Sequence, residues 1–142
     1  MAEIWFKPID LKELNARGRG TMVEHIGIVI TQVGPDWIKG TMPVDSRTVQ
    51  PRGILHGGAN VVLAESLASL AGNYVVDPAQ FYCVGLEINA NHIKSTTQGI
   101  VEGTTRPLHL GRSTQVWQTE IVQGTKLISV SRMTLSVLPV KT

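Results

Sequence analysis

Apolar positions recur along this chain at two spacings, and Gly, Pro and Asp punctuate the segments. Ile26–Val33 is a β-branched, apolar run that predicts a strand. Gly34-Pro35-Asp36 turns the chain by its chemistry, and Trp37–Met42 predicts the returning arm of a hairpin. Upstream, Asp10 is placed to cap a short helix with Leu11 and Leu14 on its apolar side. Glu13, three residues on, is placed to return a bond to the Asp10 N–H. Thr21 and Glu24 repeat that spacing before a second brief turn ending near His25. Residues 43–58, with Pro43, Pro51, Gly53, Gly57 and Gly58, predict an irregular connection.

A long helix is predicted from about Gly58 to Val75, closed by Asp77-Pro78. From Ala59 to Ala71 nine of thirteen residues are apolar. They surround the axis instead of forming one stripe, which predicts a buried helix. Four strand-like runs follow: Tyr82–Ile93, Ile100–Pro107, Ser113–Gln123 and Lys126–Leu138, the last two joined by Gly124-Thr125. In the first run Leu86, Ile88 and Ala90 share one parity, and Glu87, Asn89 and Asn91 the other. The pattern predicts one α+β domain over residues 1–142, in which a five- or six-stranded antiparallel sheet, ending in a meander, wraps a central helix.

Composition narrows the class. The 142 residues carry 13 Lys+Arg and 11 Asp+Glu, and no Lys/Arg run exists to grip nucleic acid. Only 17% is charged, against about 25% in an average soluble domain, while 42% is hydrophobic. Trading charge for small polar residues predicts surface hidden from water, in an oligomer or around a ligand. No run reaches the roughly 18 apolar residues of a membrane span, and residues 1–12 lack the apolar stretch of a signal peptide. Cys83 is the only cysteine, which excludes an internal disulfide and points to the reducing cytoplasm.

Candidate chemistry gathers at the long helix. Glu65 stands among Val61, Val62, Leu63, Ala64, Leu67 and Ala68 with no Lys or Arg within a turn. Such an acid either is buried, and driven toward its neutral form, or faces solvent at a helix edge. Ser69, one turn on, shares its face. His56-Gly57-Gly58 opens the helix, where free N–H groups and the dipole favour negative charge. The Gly57 N–H is therefore a candidate donor to an oxyanion, although the same residues also suit a plain glycine-rich helix entry. His25, His56, His92 and His109 are dispersed without metal-ligand spacing, so no metal site is expected. Lys94, Arg106, His109, Gly111 and Arg112 lie near strand ends, where cations either hold phosphates or are simply solvated.

These residues, in their order, resemble a known family. Met42-Pro43-Val44-Asp45-Ser46-Arg47-Thr48, Gln50-Pro51, Gly53-Ile54-Leu55-His56-Gly57-Gly58-Ala59, Ala64-Glu65-Ser66 and Ala71-Gly72 are similar to the hotdog-fold acyl-CoA thioesterases. The closest likeness is to the branch with the phenylacetate-pathway and Arthrobacter-type 4-hydroxybenzoyl-CoA thioesterases. Val84–His92 and Pro107–Arg112 resemble the proteobacterial members that hydrolyse 1,4-dihydroxy-2-naphthoyl-CoA in menaquinone biosynthesis. A sister enzyme there clears misloaded aryl carrier protein. The resemblance implies hydrolysis of an acyl-CoA, or of an acyl or aryl carrier protein thioester, without metal or other cofactor. It also implies active sites at the interface of a homo-oligomer, usually a dimer of dimers. Carried onto this chain, Glu65 is the nucleophile or general base, Gly57 the donor to the thioester carbonyl, and Gln50 the residue orienting substrate and water. His56 lies beside the thioester, and Ser69 supports the hydrolytic water. His92, Lys94, His109, Gly111 and Arg112 meet the CoA portion, with Lys94 in place of a common arginine. A hotdog hydratase or dehydratase, or a non-catalytic acyl-CoA binding module, would share the fold.

Overall fold

The structure, a computed structural model, describes residues 2–142. Two short helices, α1 (Leu11–Ala16) and α2 (Met22–His25), precede strands β1 (Val29–Val33) and β2 (Ile38–Pro43). The long helix α3 (Gly57–Val75) leads into β3 (Phe81–His92), β4 (Ile100–Leu110), β5 (Thr114–Gln123) and β6 (Lys126–Pro139). All strands join one antiparallel sheet in the order β1-β2-β4-β5-β6-β3, and α3 lies across β2 to β6. Asp10 caps α1 as expected, accepting from Lys12 N at 2.7 Å, and Thr21 caps α2. The Glu24 carboxylate accepts from Gly20 N at 2.6 Å.

The helix approaches the sheet because glycines clear its path. Gly40 of β2 and Gly103 of β4 face each other in register. A Cβ on either would lie 2.9 or 2.8 Å from a methyl carbon of Leu67, so the two glycines form the hole that fully buried Leu67 fills. Leu63, Ala68 and Ala71 pack beside it with no exposed surface worth the name. On the same inner layer Trp117 is fully buried, its ring N–H donating to Gln115 Oε1 at 2.9 Å.

Three expectations change. β3 does not open the meander: only β4, β5 and β6 follow one another, and β3 returns to the far edge beside β6. The chain leaving α3 has already crossed the sheet, so it lands at that edge. The alternation in β3 is broken by a bulge between Gly85 and Glu87. Ile88 and Ala90 keep the inner parity, while Leu86 becomes the extra residue and is 62% exposed. Finally, α3 is buried along one broad stripe and not all round. Asn60, Leu63, Ala64, Leu67, Ala68, Ala71, Gly72 and Tyr74 are covered, but Glu65 is exposed. A helix on a single sheet layer has only one face covered by its own chain.

The two sheet edges are treated differently. On β1, Asn15 of α1 donates to Ile30 O at 2.9 Å and accepts from Ile30 N at 2.8 Å, filling the place of a neighbouring strand. Asn73 of α3 does the same for Cys83 of β3, at 3.1 and 2.8 Å. Beyond Cys83, from Gly85 to His92, no side chain of the described residues covers the β3 edge in this way.

Candidate active site

The N-terminus of α3 presents one free donor. A helix start leaves four N–H groups without intrahelical partners. Here His56 N donates to Thr48 O at 2.8 Å, Gly58 N to His56 Nδ1 at 2.8 Å, and Ala59 N to His56 O at 3.0 Å. Gly57 N–H alone keeps no acceptor among the described residues. His56 is thus the cap of α3, and its capping isolates the Gly57 donor at the positive end of the helix dipole. The loop before it is braced by Asp45, which accepts from Arg47 through both carboxylate oxygens. That side-chain hydrogen bonding to Arg47 holds the exposed Asp45 carboxyl down at about 2.

Gly57 opens into a cavity of about 330 Å³ lined by Gln50, Ile54, Leu55, Gly57, Asn60, His92, Ile93, Lys94, Ser95 and Ile128. Four of the predicted site residues, Gln50, Gly57, His92 and Lys94, therefore share one hollow. Gln50 Oε1 accepts from Arg52 N, which fixes its side chain within the loop. His92 packs so closely on the helix start that a Cβ on Gly57 would lie 2.6 Å from its Nε2. The glycine thus makes room for the His92 ring. Behind the ring stand Asn60 and Ser129, each buried, with Asn60 Nδ2 and Ser129 Oγ both 3.4 Å from His92 Nδ1. Asn60 Oδ1 is buried without a partner among the described residues. Neither Asn60 nor Ser129 was expected in the site. The available signal was a lone amide in an otherwise apolar stretch of the helix.

Glu65 and Ser69 lie elsewhere. The Glu65 carboxylate rests over β3, its Oε1 3.0 Å from where a Cβ on Gly85 would stand. Glu65 and Gly57 are eight residues apart in α3, a rise of roughly 12 Å along its axis. An attacking carboxylate must come within about 7 Å of the donor holding the carbonyl oxygen, allowing a near-attack approach of ~3.3 Å. Within one chain, Glu65 starts beyond that range, two helical turns from Gly57 with its carboxylate over Gly85. His109, Gly111 and Arg112 are also remote from the cavity. Their turn pairs through Thr114 and Ser136 with Val84, at the end of β3 opposite His92. There a Cβ on Gly111 would lie 2.5 Å from His109 Nε2, and Gly111 N donates to Thr114 O at 2.8 Å. A larger open groove of about 630 Å³ between α1, α2 and β1 holds none of these residues.

A free N–H at a helix start, beside an imidazole in a cavity, suits a carbonyl oxygen that gains negative charge, as in acyl transfer. Comparison with known proteins agrees: the thioesterase superfamily profile matches residues 52–129, from the loop before Gly57 to the start of β6. The chain belongs to the thioesterase superfamily. It is a thioester hydrolase on a hotdog fold, with α3 packed against the sheet. It is 51% identical over 136 residues to the 1,4-dihydroxy-2-naphthoyl-CoA hydrolase of Escherichia coli, covering 95% of this chain and 99% of that one. It is 47% identical over 137 residues to a proofreading thioesterase of Cronobacter sakazakii, covering 95% and 98%. Among solved structures, a mutant thioesterase of Pseudomonas aeruginosa superposes with a TM-score of 0.96 at 42% identity, covering 97% of this chain and all of that one. Two Staphylococcus aureus structures, at 37% and 36% identity and TM-score 0.80, carry a Glu-to-Ala and a Gln-to-Ala substitution fifteen residues apart. Among the described residues, no helix is long and apolar enough to cross a membrane, and no three His, Cys, Asp or Glu side chains group to hold a metal.

Proposed function

We propose that this thioesterase hydrolyses an aryl-CoA such as 1,4-dihydroxy-2-naphthoyl-CoA or hydroxybenzoyl-CoA, in the cytoplasm, at a site completed by a second copy of the chain. The isolated Gly57 donor, roughly 12 Å along α3 from the only carboxylate of that helix, which lies over Gly85, is the observation that carries this reading. The free β3 edge from Gly85 to His92, with exposed Leu86, is where a second copy would pair, in the expected dimer or dimer of dimers. Gly57 N–H and Gln50 of one copy then hold the thioester carbonyl while Glu65 and Ser69 of the other supply the carboxylate and steady the water. Gln50 and Glu65 stand fifteen residues apart, the spacing of the two residues substituted in the Staphylococcus aureus structures. Lys94 lines the same cavity, which supports its expected role of meeting a CoA phosphate. His109, Gly111 and Arg112 have this role only if the partner copy brings their turn to the site.

Glu65 either attacks the carbonyl carbon, expelling CoA thiolate and forming a mixed anhydride that water opens, or takes a proton from the attacking water. Label from isotopic water entering Glu65 in a single turnover identifies the anhydride. The menaquinone-pathway substrate is favoured over an aryl carrier protein by the slightly higher identity to the naphthoyl-CoA hydrolase. A thiol-release assay over naphthoyl-, hydroxybenzoyl- and fatty acyl-CoA and a salicylated or benzoylated carrier protein tests the assignment. Highest kcat/KM on an aryl-CoA is expected, and preference for fatty acyl-CoA or the carrier protein overturns it. The reaction needs no metal or organic cofactor, so prolonged chelation should leave turnover unchanged.

A further inference from the structure

We propose that Asn60 is a positioning residue that locks His92 in its Nε2–H tautomer, making His92 a second donor to the thioester oxygen beside the Gly57 N–H. The inference rests on the hydrolase reading above. Its basis is the asymmetric surroundings of one imidazole. The inner ring nitrogen, Nδ1, meets two buried groups, Asn60 Nδ2 and Ser129 Oγ, each at 3.4 Å. The outer nitrogen, Nε2, lies against Gly57, 2.6 Å from the place of its missing Cβ, on the wall of the cavity. A serine hydroxyl can donate or accept, so it leaves the tautomer open. An amide nitrogen only donates, so with Asn60 Nδ2 toward the ring, Nδ1 accepts and the ring proton sits on Nε2.

The other end of the amide, Asn60 Oδ1, is buried with no partner among the described residues. Nε2 then carries its proton beside Gly57, at the wall of the cavity that both residues line. Two donors converging on one oxygen are the arrangement that stabilises an oxyanion. In this role His92 donates a hydrogen bond and does not abstract a proton. Gly57 serves twice: it gives its own N–H, and its lack of a side chain lets the imidazole come close.

The decisive measurement is the long-range ¹H–¹⁵N spectrum of histidine-labelled wild-type protein at pH 8, with His92→Gln to assign the resonance. The expected pattern is a protonated Nε2 and a bare Nδ1. Asn60→Asp replaces the donor by an acceptor and should switch His92 to the Nδ1–H form. The lone pair of Nε2 would then face the carbonyl oxygen, lowering kcat about 100-fold, the scale of one lost oxyanion donor, with KM within threefold. Ser129→Ala should keep the Nε2–H tautomer. A wild-type Nδ1–H tautomer overturns the proposal, and this needs no variant to fold. A switched tautomer in Asn60→Asp with undiminished kcat overturns it too. A wild-type protein with the expected tautomer that releases no thiol from any acyl-CoA would instead sink the hydrolase reading, and this role with it.

Discussion

If each site takes Gly57 from one chain and Glu65 from another, two inactive variants must rescue each other by a calculable amount. Glu65→Gln removes the carboxylate and should lose at least ~100-fold in kcat, the scale of general base catalysis. Gly57→Ala places a Cβ 2.6 Å from His92 Nε2 and 3.0 Å from its Cδ2, so the ring must leave the donor it flanks. In a mixed dimer of these variants, one site combines both lesions and the other combines neither. With free exchange at equal amounts half the dimers are mixed, and one of their two sites is intact, so about a quarter of wild-type activity returns. The assay is thiol release from an aryl-CoA by co-expressed chains carrying different tags, with tandem purification to isolate mixed oligomers. That fraction should show about half the wild-type activity per chain. Mixed oligomers that form but stay at the level of the separate variants would refute the two-chain site. Oligomers that never mix, because the protein is a monomer, would refute it as well.

Other outcomes follow from the packing. Leu67→Ala empties the hole formed by Gly40 and Gly103 and should cost about 3–5 kcal/mol in urea unfolding, a large share of the stability of such a domain. Gly85→Ala sets a Cβ 3.0 Å from Glu65 Oε1 and 2.8 Å from Met133 Cε. Both neighbours are ends of flexible side chains, so the fold should survive while kcat falls roughly tenfold through displacement of Glu65. The 6% exposed Cys83 thiol is pushed by burial from an ordinary 9.0 up to about 11. The folded state then holds this proton more tightly than the unfolded one, so stability is unaffected below about pH 9 and falls between about 9 and 11. Cys83→Ala should flatten that slope in unfolding measured across pH.

The elements of the fold were legible because each rests on local chemistry. The Asp10 and Thr21 caps, the Gly34-Pro35-Asp36 turn and the long apolar helix need only neighbours in sequence. The place of β3 was not legible, since strand order depends on where α3 delivers the chain. Nor was the bulge at Leu86: parity counts assume an unbroken pleat, and only the pairing with β6 shows that one residue is extra. His92 on Gly57 is a contact between residues thirty-five positions apart, invisible to any periodic pattern. Asn60 was visible as a polar interruption, but its meaning depends on the ring that the end of β3 brings against it.

Glu65 is the most instructive case. Its apolar neighbours in the helix suggested burial, yet the chain leaves it exposed. Helical sequence can show that a residue sits among apolar positions without showing which chain covers them. The unexplained surface has a consistent location: Glu65 over Gly85, exposed Leu86, and a β3 edge that loses its asparagine cover after Cys83. Elsewhere this protein protects an exposed edge, as Asn15 does on β1. That open edge, beside Glu65, is where the proposed second copy would pair. The low charge of the whole chain fits the same account, because surface buried in an assembly is poorly served by charge. A soluble monomer with full activity would show that Gly57 and Glu65 act without a second copy.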